Sequence, residues 1–214
     1  MKKFPALFLS LSLLLGGLGV AQAAAKAPDE VVKEGTRKLQ TLIAQNHTKY
    51  KADLPGFYKV VDDTVVPYFD VPFIARSVLA RNWKTASEAQ RTRFQEAFKN
   101  MLIRSYANAL LENYDSVEAE WKPMRLAPDA DDVIVNSSLI RGNGKPPVGI
   151  GFALHKIGEE WKVYDITIEN ISLVTNFRGQ FNAEIKKTGL EAVIARMESG
   201  GQIAPKPVST PAGG

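Results

Sequence analysis

The 214-residue chain has no cysteine, which removes disulfides, thiolate metal sites and thiol catalysis together. It also removes the modified cysteine that anchors bacterial lipoproteins. Histidine is almost as scarce: His47 and His155 are the only two. Each stands alone, so neither a metal cage nor a histidine triad can be read from them. No G-x-S-x-G elbow occurs. Gly142-Asn143-Gly144-Lys145 has Leu139 where a phosphate loop needs its first glycine and Pro146 after the lysine, so it reads as a turn. Asp62-Asp63 and Asp131-Asp132 read as a solvated helix face and a turn. Dense Lys/Arg runs are missing too, which argues against a nucleic-acid partner.

What is present begins with an export pattern. Lys2 and Lys3 precede an apolar run from Phe4 to Val20 and then Ala21-Gln22-Ala23. This is the order of a secretory leader, expected to span residues 1–23, with cleavage after Ala25 nearly as good. The run is short of the about 20 residues of a membrane-spanning helix, which disfavours a retained anchor. Losing Lys2 and Lys3 lowers the formal charge from +4 to +2, enough for loose attraction to anionic lipid. Residues 24–198 are of a size for one domain. Residues 199–214, rich in Gly, Pro, Ser and Ala, read as a disordered tail.

Periodicity divides the domain. Apolar spacings of three and four predict helices from Asp29 to His47, from Asp53 to about Val65, and from Asp70 through Leu79. Ser87-Glu88-Ala89-Gln90 has capping-box spacing and opens the longest helix, reaching Glu112. Period-two stretches follow at 117–125, 132–141, 147–156 and 161–169, separated by turn residues. Helices at 171–187 and 190–198 close the chain, with Gly189 between them. The expectation is an α+β fold with a four-stranded antiparallel sheet packed against several helices. The other sheet face carries Asn136, Ser138, His155, Thr167 and Glu169 and should be partly wet.

The segment Trp161–Phe181 joins the two patterns. Tyr164, Ile166 and Ile168 fall on one side of the last strand, Val163, Asp165 and Thr167 on the other. After Asn170 the period becomes helical, with Ser172 as cap and Leu173, Val174, Phe177 and Phe181 on one stripe. An apolar sheet face runs into an apolar helix face. Composition leaves open whether they form a filled core or a cavity wall.

Two blocks carry a resemblance. One is Phe73-Ile74-Ala75-Arg76 through Arg81-Asn82-Trp83-Lys84-Thr85-Ala86-Ser87, on through Phe94 and Phe98 to Tyr106. The other is Trp161-Lys162-Val163-Tyr164-Asp165, then Ile171-Ser172-Leu173-Val174, Asn176-Phe177-Arg178, Phe181 and Gly189-Leu190. Their order and spacing resemble the MlaC (toluene-tolerance) family of periplasmic phospholipid carriers, from about Pro28 to Met197. The resemblance implies a deep apolar pocket between sheet and helices, phospholipid as cargo with no cofactor or metal, and no catalysis. It also implies two partners, the substrate-binding component of an inner-membrane ABC transporter and an outer-membrane lipoprotein–porin complex. A lipid-modifying enzyme and a chaperone or adaptor are the alternatives.

On that reading the sheet's lipid wall is Val133, Val135, Ile150, Phe152, Leu154, Tyr164, Ile166 and Ile168. The helical wall is Leu79, Phe94, Phe98, Met101, Leu102, Leu173, Val174 and Phe177. Arg81, Trp83 and Arg178 are placed at the pocket mouth or headgroup. Ordinary core packing is the competing reading for each apolar residue.

Overall fold

The computed structural model describes residues 26–141 and 144–201. The expected leader, most of the expected tail, and Gly142 and Asn143 of the expected turn lie outside the described residues. Helix α1 (Pro28–Ala52) opens with Pro28 in its first turn and kinks at Asn46, whose side-chain amide donates to the Leu42 carbonyl at 3.1 Å. Asp53 caps α2 (Leu54–Thr64) through the Gly56 amide, and a 3-10 turn at Val66–Tyr68 follows. Asp70 caps α3 (Val71–Leu79) through the Phe73 amide. A short α4 (Arg81–Thr85) stands between α3 and the long helix. It follows Ala80, which takes φ +49° without being glycine, a conformation no sequence signal announces.

The predicted capping box is complete: Ser87 Oγ accepts from the Gln90 amide and Gln90 Oε1 from the Ser87 amide, opening α5 (Glu88–Asn113). Then come β1 (Val117–Trp121), β2 (Asp132–Arg141), β3 (Val148–Ile157), β4 (Glu160–Ile168) and a two-residue β5 (Ile171–Ser172). Helices α6 (Leu173–Thr188) and α7 (Leu190–Glu198) meet at Gly189, whose φ of +84° permits the sharp change of direction. No described helix is long and apolar enough to cross a membrane.

The sheet is an antiparallel meander in the order β1-β2-β3-β4-β5. It has five strands where the sequence predicts four. Glu169 and Asn170 both take positive φ, the signature of a two-residue hairpin turn, so β4 folds back onto Ile171 and Ser172 before α6 starts. A Glu-Asn pair lacks the glycine that advertises such turns.

The register carries the larger correction. Ala153 pairs with Asp165, but Leu154 pairs with Val163, so Tyr164 is the extra residue of a bulge. Below it the side-chain alternation of β4 is inverted. Trp161 and Val163 therefore share the buried inner face with Leu154, Val135 and Ile166. Tyr164 turns to the outer face, where its ring lies 4.9 Å from His155 and 5.4 Å from Phe73 and its hydroxyl donates to Asp132 at 3.1 Å. The outer face carries Asn136, Ser138, His155 and Thr167 as expected, but also this aromatic group and the exposed Ile134. Gly151 is the close approach there: a Cβ would sit 2.5 Å from Thr167 Oγ1.

Asp165 fastens the sheet to α6. Its Oδ1 accepts from the Ile166 and Val174 amides at 2.8 and 3.1 Å, and its Oδ2 accepts from Ser172 Oγ at 2.5 Å. Ser172 in turn caps α6 through the Thr175 amide. Ion pairs tie the helices together: Lys99 on α5 reaches Asp62 on α2, and Arg93 on α5 reaches Glu191 and Glu198 on α7.

Two outcomes are expected. Asp165→Ala removes three hydrogen bonds, two of which join β4 to the start of α6, and should destabilise by about 2–4 kcal/mol, read as a lower urea midpoint at unchanged slope. The Tyr164 phenol is pushed up to about 12, first by burial and then by Asp132. A raised folded-state value makes its stabilisation complete below the ordinary phenol value of 10 and lost as pH climbs from there through about 12. Alkaline absorbance titration of Tyr164→Phe should therefore lose one late-titrating tyrosine, with Tyr68 and Tyr106, whose phenols burial also raises, remaining.

Candidate functional site

Buried apolar residues fall into three groups. One lies within α3, α5, α6 and α7 and contains Ala75, Leu79, Phe94, Phe98, Met101, Phe177, Phe181 and Met197. A second joins α1, α2 and α5 around Ile43, Phe57 and Leu111. The third is the sheet's inner face with Val31 and Val32 of α1. Helix α5 is the shared spine of the first two, packing on α7, α2 and α3.

The predicted lipid-wall residues divide accordingly. Leu79, Phe94, Phe98, Met101 and Phe177 sit inside the first group, 0–3% exposed. Phe94 and Phe98 stack with centroids 5.7 Å apart, and Phe181 meets both edge-on at 5.3 and 5.6 Å. These rings fill space. Val135 and Leu154 are equally buried in the sheet group. In contrast, Val133, Ile150, Phe152, Ile166 and Ile168 on the sheet, and Leu102, Leu173 and Val174 on the helices, are only half-buried. Leu102, Leu173 and Val174 pack at the margin of the helical group, and Val133, Phe152 and Ile166 at the margin of the sheet group. Tyr164 is on the other face.

Sequence reasoning did not single out Trp161 and Val163 as wall residues, because unbroken alternation puts Val163 on the wrong side. It also passed over the polar atoms of α5. Ser105 Oγ and Tyr106 Oη are buried with no hydrogen-bond partner among the described residues, and burial pushes the Tyr106 phenol up. Tyr106 packs against the same helical group as Leu102, one helical turn before it.

The mouth residues separate as well. Trp83 and Arg178 come together in an open cleft of about 410 Å³ between α3, α4 and α6, lined also by Phe73, Arg76, Ser77, Ala80 and Lys84. Arg81 is on α4 but not on the lining. Arg178 Nε donates to the Ser77 carbonyl at 2.8 Å. Arg91 sits over the Trp83 ring, 5.4 Å from its centroid, and donates to the Trp83 carbonyl at 2.8 Å. Asn82 and Asn182 join α4 to α6 by a 2.6 Å bond. A second open cleft of about 360 Å³ lies between α1 and β1.

Both histidines are engaged in holding structure. His155 Nε2 is 2.9 Å from Asp70, whose other oxygen caps α3, and His47 Nε2 is 3.2 Å from the Leu111 carbonyl. Among the described residues no group of three metal-ligating side chains is assembled.

The division between fully buried and half-buried sites predicts different mutational costs. Phe98→Ala should destabilise by about 3–5 kcal/mol, because it empties a packed site. Ile168→Ala, at a half-exposed site, should cost less than half as much. Urea unfolding of the two variants side by side checks this.

Comparison with known proteins agrees with the fold. The family described as "MlaC protein" matches residues 33–199. The toluene tolerance protein ttg2D of Pseudomonas putida is 30% identical over 180 residues, covering 84% of this chain and 82% of that protein. The intermembrane phospholipid transport system binding protein MlaC of Haemophilus influenzae is 25% identical over 184 residues, covering 85% and 84%. A solved structure of the phospholipid-binding protein from Ralstonia solanacearum, in complex with a phospholipid, superposes with a TM-score of 0.72 at 28% identity and covers 81% of this chain and 96% of that one. With most of its length matched in sequence and in fold, the chain belongs to the MlaC family.

Proposed function

We propose that this chain is a soluble, non-catalytic phospholipid carrier whose acyl chains lie in the seam between the inner face of the sheet and α5–α6. The observation that carries this reading is the set of half-buried apolar residues at the margins of the sheet group and the helical group. Val133, Ile150, Phe152, Ile166 and Ile168 stand on the sheet, and Leu102, Leu173 and Val174 on the helices. A finished core buries such residues. A carrier keeps them available.

The energetics fit the task. Each methylene removed from water contributes about 0.8 kcal/mol, so a tail of roughly 16 carbons resists solvent by on the order of 13 kcal/mol. Walls of aliphatic and aromatic side chains meet that demand without many polar grips. The packed rings of Phe94, Phe98 and Phe177, with Leu79 and Met101, back the helical wall. Val135, Leu154, Val163 and Trp161 back the sheet. Tyr106 Oη, buried without a partner among the described residues, is the proposed donor to a lipid ester oxygen.

The leader-like N-terminus puts the carrier in the periplasm, where it shuttles phospholipid between outer and inner membranes and so maintains outer-membrane lipid asymmetry. Its exchange partners are the substrate-binding component of an inner-membrane ABC transporter and an outer-membrane lipoprotein–porin complex. What supports these assignments is family membership together with the export pattern of residues 1–23.

Native mass spectrometry and lipid extraction of protein purified from bacteria should find bound phospholipid. Ile166→Asp or Val174→Asp places a charge in the seam and should cut co-purified lipid more than tenfold while far-UV circular dichroism is unchanged. A wild-type protein that yields no lipid overturns the reading.

A further inference from the structure

The 410 Å³ cleft between α3, α4 and α6 is unlike the seam in place and chemistry. Phe73, Arg76, Ser77 and Ala80 line it from the side of α3 opposite to Ala75, Val78 and Leu79, which α3 buries in the helical core. The cleft therefore faces away from that core. Its charge is one-sided. Neither Val71–Ser87 nor Asn170–Ala183 contains an aspartate or glutamate. Arg76, Lys84 and Arg178 make no ion pair among the described residues, although elsewhere Lys33, Arg93, Lys99 and Arg196 are all paired.

The cleft is also built. Asn82–Asn182 clamps its two walls. Arg91 holds the Trp83 and Lys84 carbonyls. Arg178 is fixed through Nε on Ser77, and its two terminal amino groups make no hydrogen bond among the described residues. The floor contains Ala80 in a positive-φ conformation that costs a non-glycine residue roughly 1–3 kcal/mol. Two guanidinium forks and an ammonium round one opening suit an anion with several oxygens, since arginine binds phosphate through paired hydrogen bonds. A single protein carboxylate would satisfy only one of the three.

We propose that this cleft is a binding site for a phosphate group, separate from the acyl seam, with Arg76, Lys84 and Arg178 as its ligands and Phe73 and Trp83 as its apolar rim. The phosphate belongs either to a lipid headgroup presented at a membrane or to a free phosphate, and the two sources share this chemistry.

The test uses the full mature chain and nitrogen–proton NMR of the Arg178 Nε–H and Trp83 indole signals. Glycerophosphoglycerol, inorganic phosphate and sodium chloride are titrated at matched ionic strength. Both phosphates should shift these signals saturably and chloride should not. Tighter binding of the diester assigns the site to headgroups, and tighter binding of inorganic phosphate assigns it to the free anion. Arg76→Gln and Lys84→Gln, whose side chains hold no described hydrogen bond, should each weaken binding about tenfold. Their co-purified lipid should match the wild type, so the result stands apart from the carrier reading. Shifts that follow ionic strength alone, a response to a glutamate-rich peptide but not to phosphate, affinities within twofold in both variants, or lipid lost with the two substitutions would each overturn the proposal.

Discussion

Between Ala153 and Leu154 the pairing of β3 with β4 slips by one residue, and the use of both sheet faces depends on that slip. Without it Val163 and Trp161 would point outward and Tyr164 would enter the apolar interior with its hydroxyl. With it, the lower half of β4 contributes Val163 and Trp161 to a face already held by Leu154 and Val135. The displaced Tyr164 finds Asp132, His155 and Phe73 outside. A single extra residue thus keeps the inner face apolar along the strand's whole length, because side chains alternate with period two and a one-residue shift exchanges the faces.

The second dependence is at the other end of β4. Asp165 receives bonds from its own strand, from Ser172 and from the start of α6. The angle at which α6 leaves the sheet is therefore fixed by a carboxylate rather than by packing alone. That matters for a carrier. In the proposed carrier, the junction between the sheet and α6 keeps these polar bonds when apolar contacts are exchanged for lipid. The packed rings of α5 and α6 and the buried inner strands give each wall its own stability, independent of what lies between.

Much of this was legible beforehand, for reasons that can be named. The capping box at Ser87, the Asp53 and Asp70 caps and the Gly189 junction are local chemistry, and local chemistry is written in adjacent residues. The wet outer face of Asn136, Ser138, His155 and Thr167 followed from alternation. The fifth strand and α4 were hidden because each begins at positive-φ positions filled by Glu169, Asn170 and Ala80 rather than glycine. Arg76 and Lys84 were visible only as scattered charges, since they meet Arg178 across about a hundred residues of chain.

By itself the sequence determined the order of helices and strands, the apolar stripe of each, the residue types able to shelter hydrocarbon, and the lack of thiol chemistry, because these depend on identity and on spacing of a few residues. The tertiary structure alone decided which of those stripes are consumed in packing and which stay half-open, on which face Tyr164 and Val163 stand, and which cations share one cleft. Those outcomes depend on register and on contacts between distant segments, where a shift of one residue changes every neighbour and leaves no trace in the local pattern.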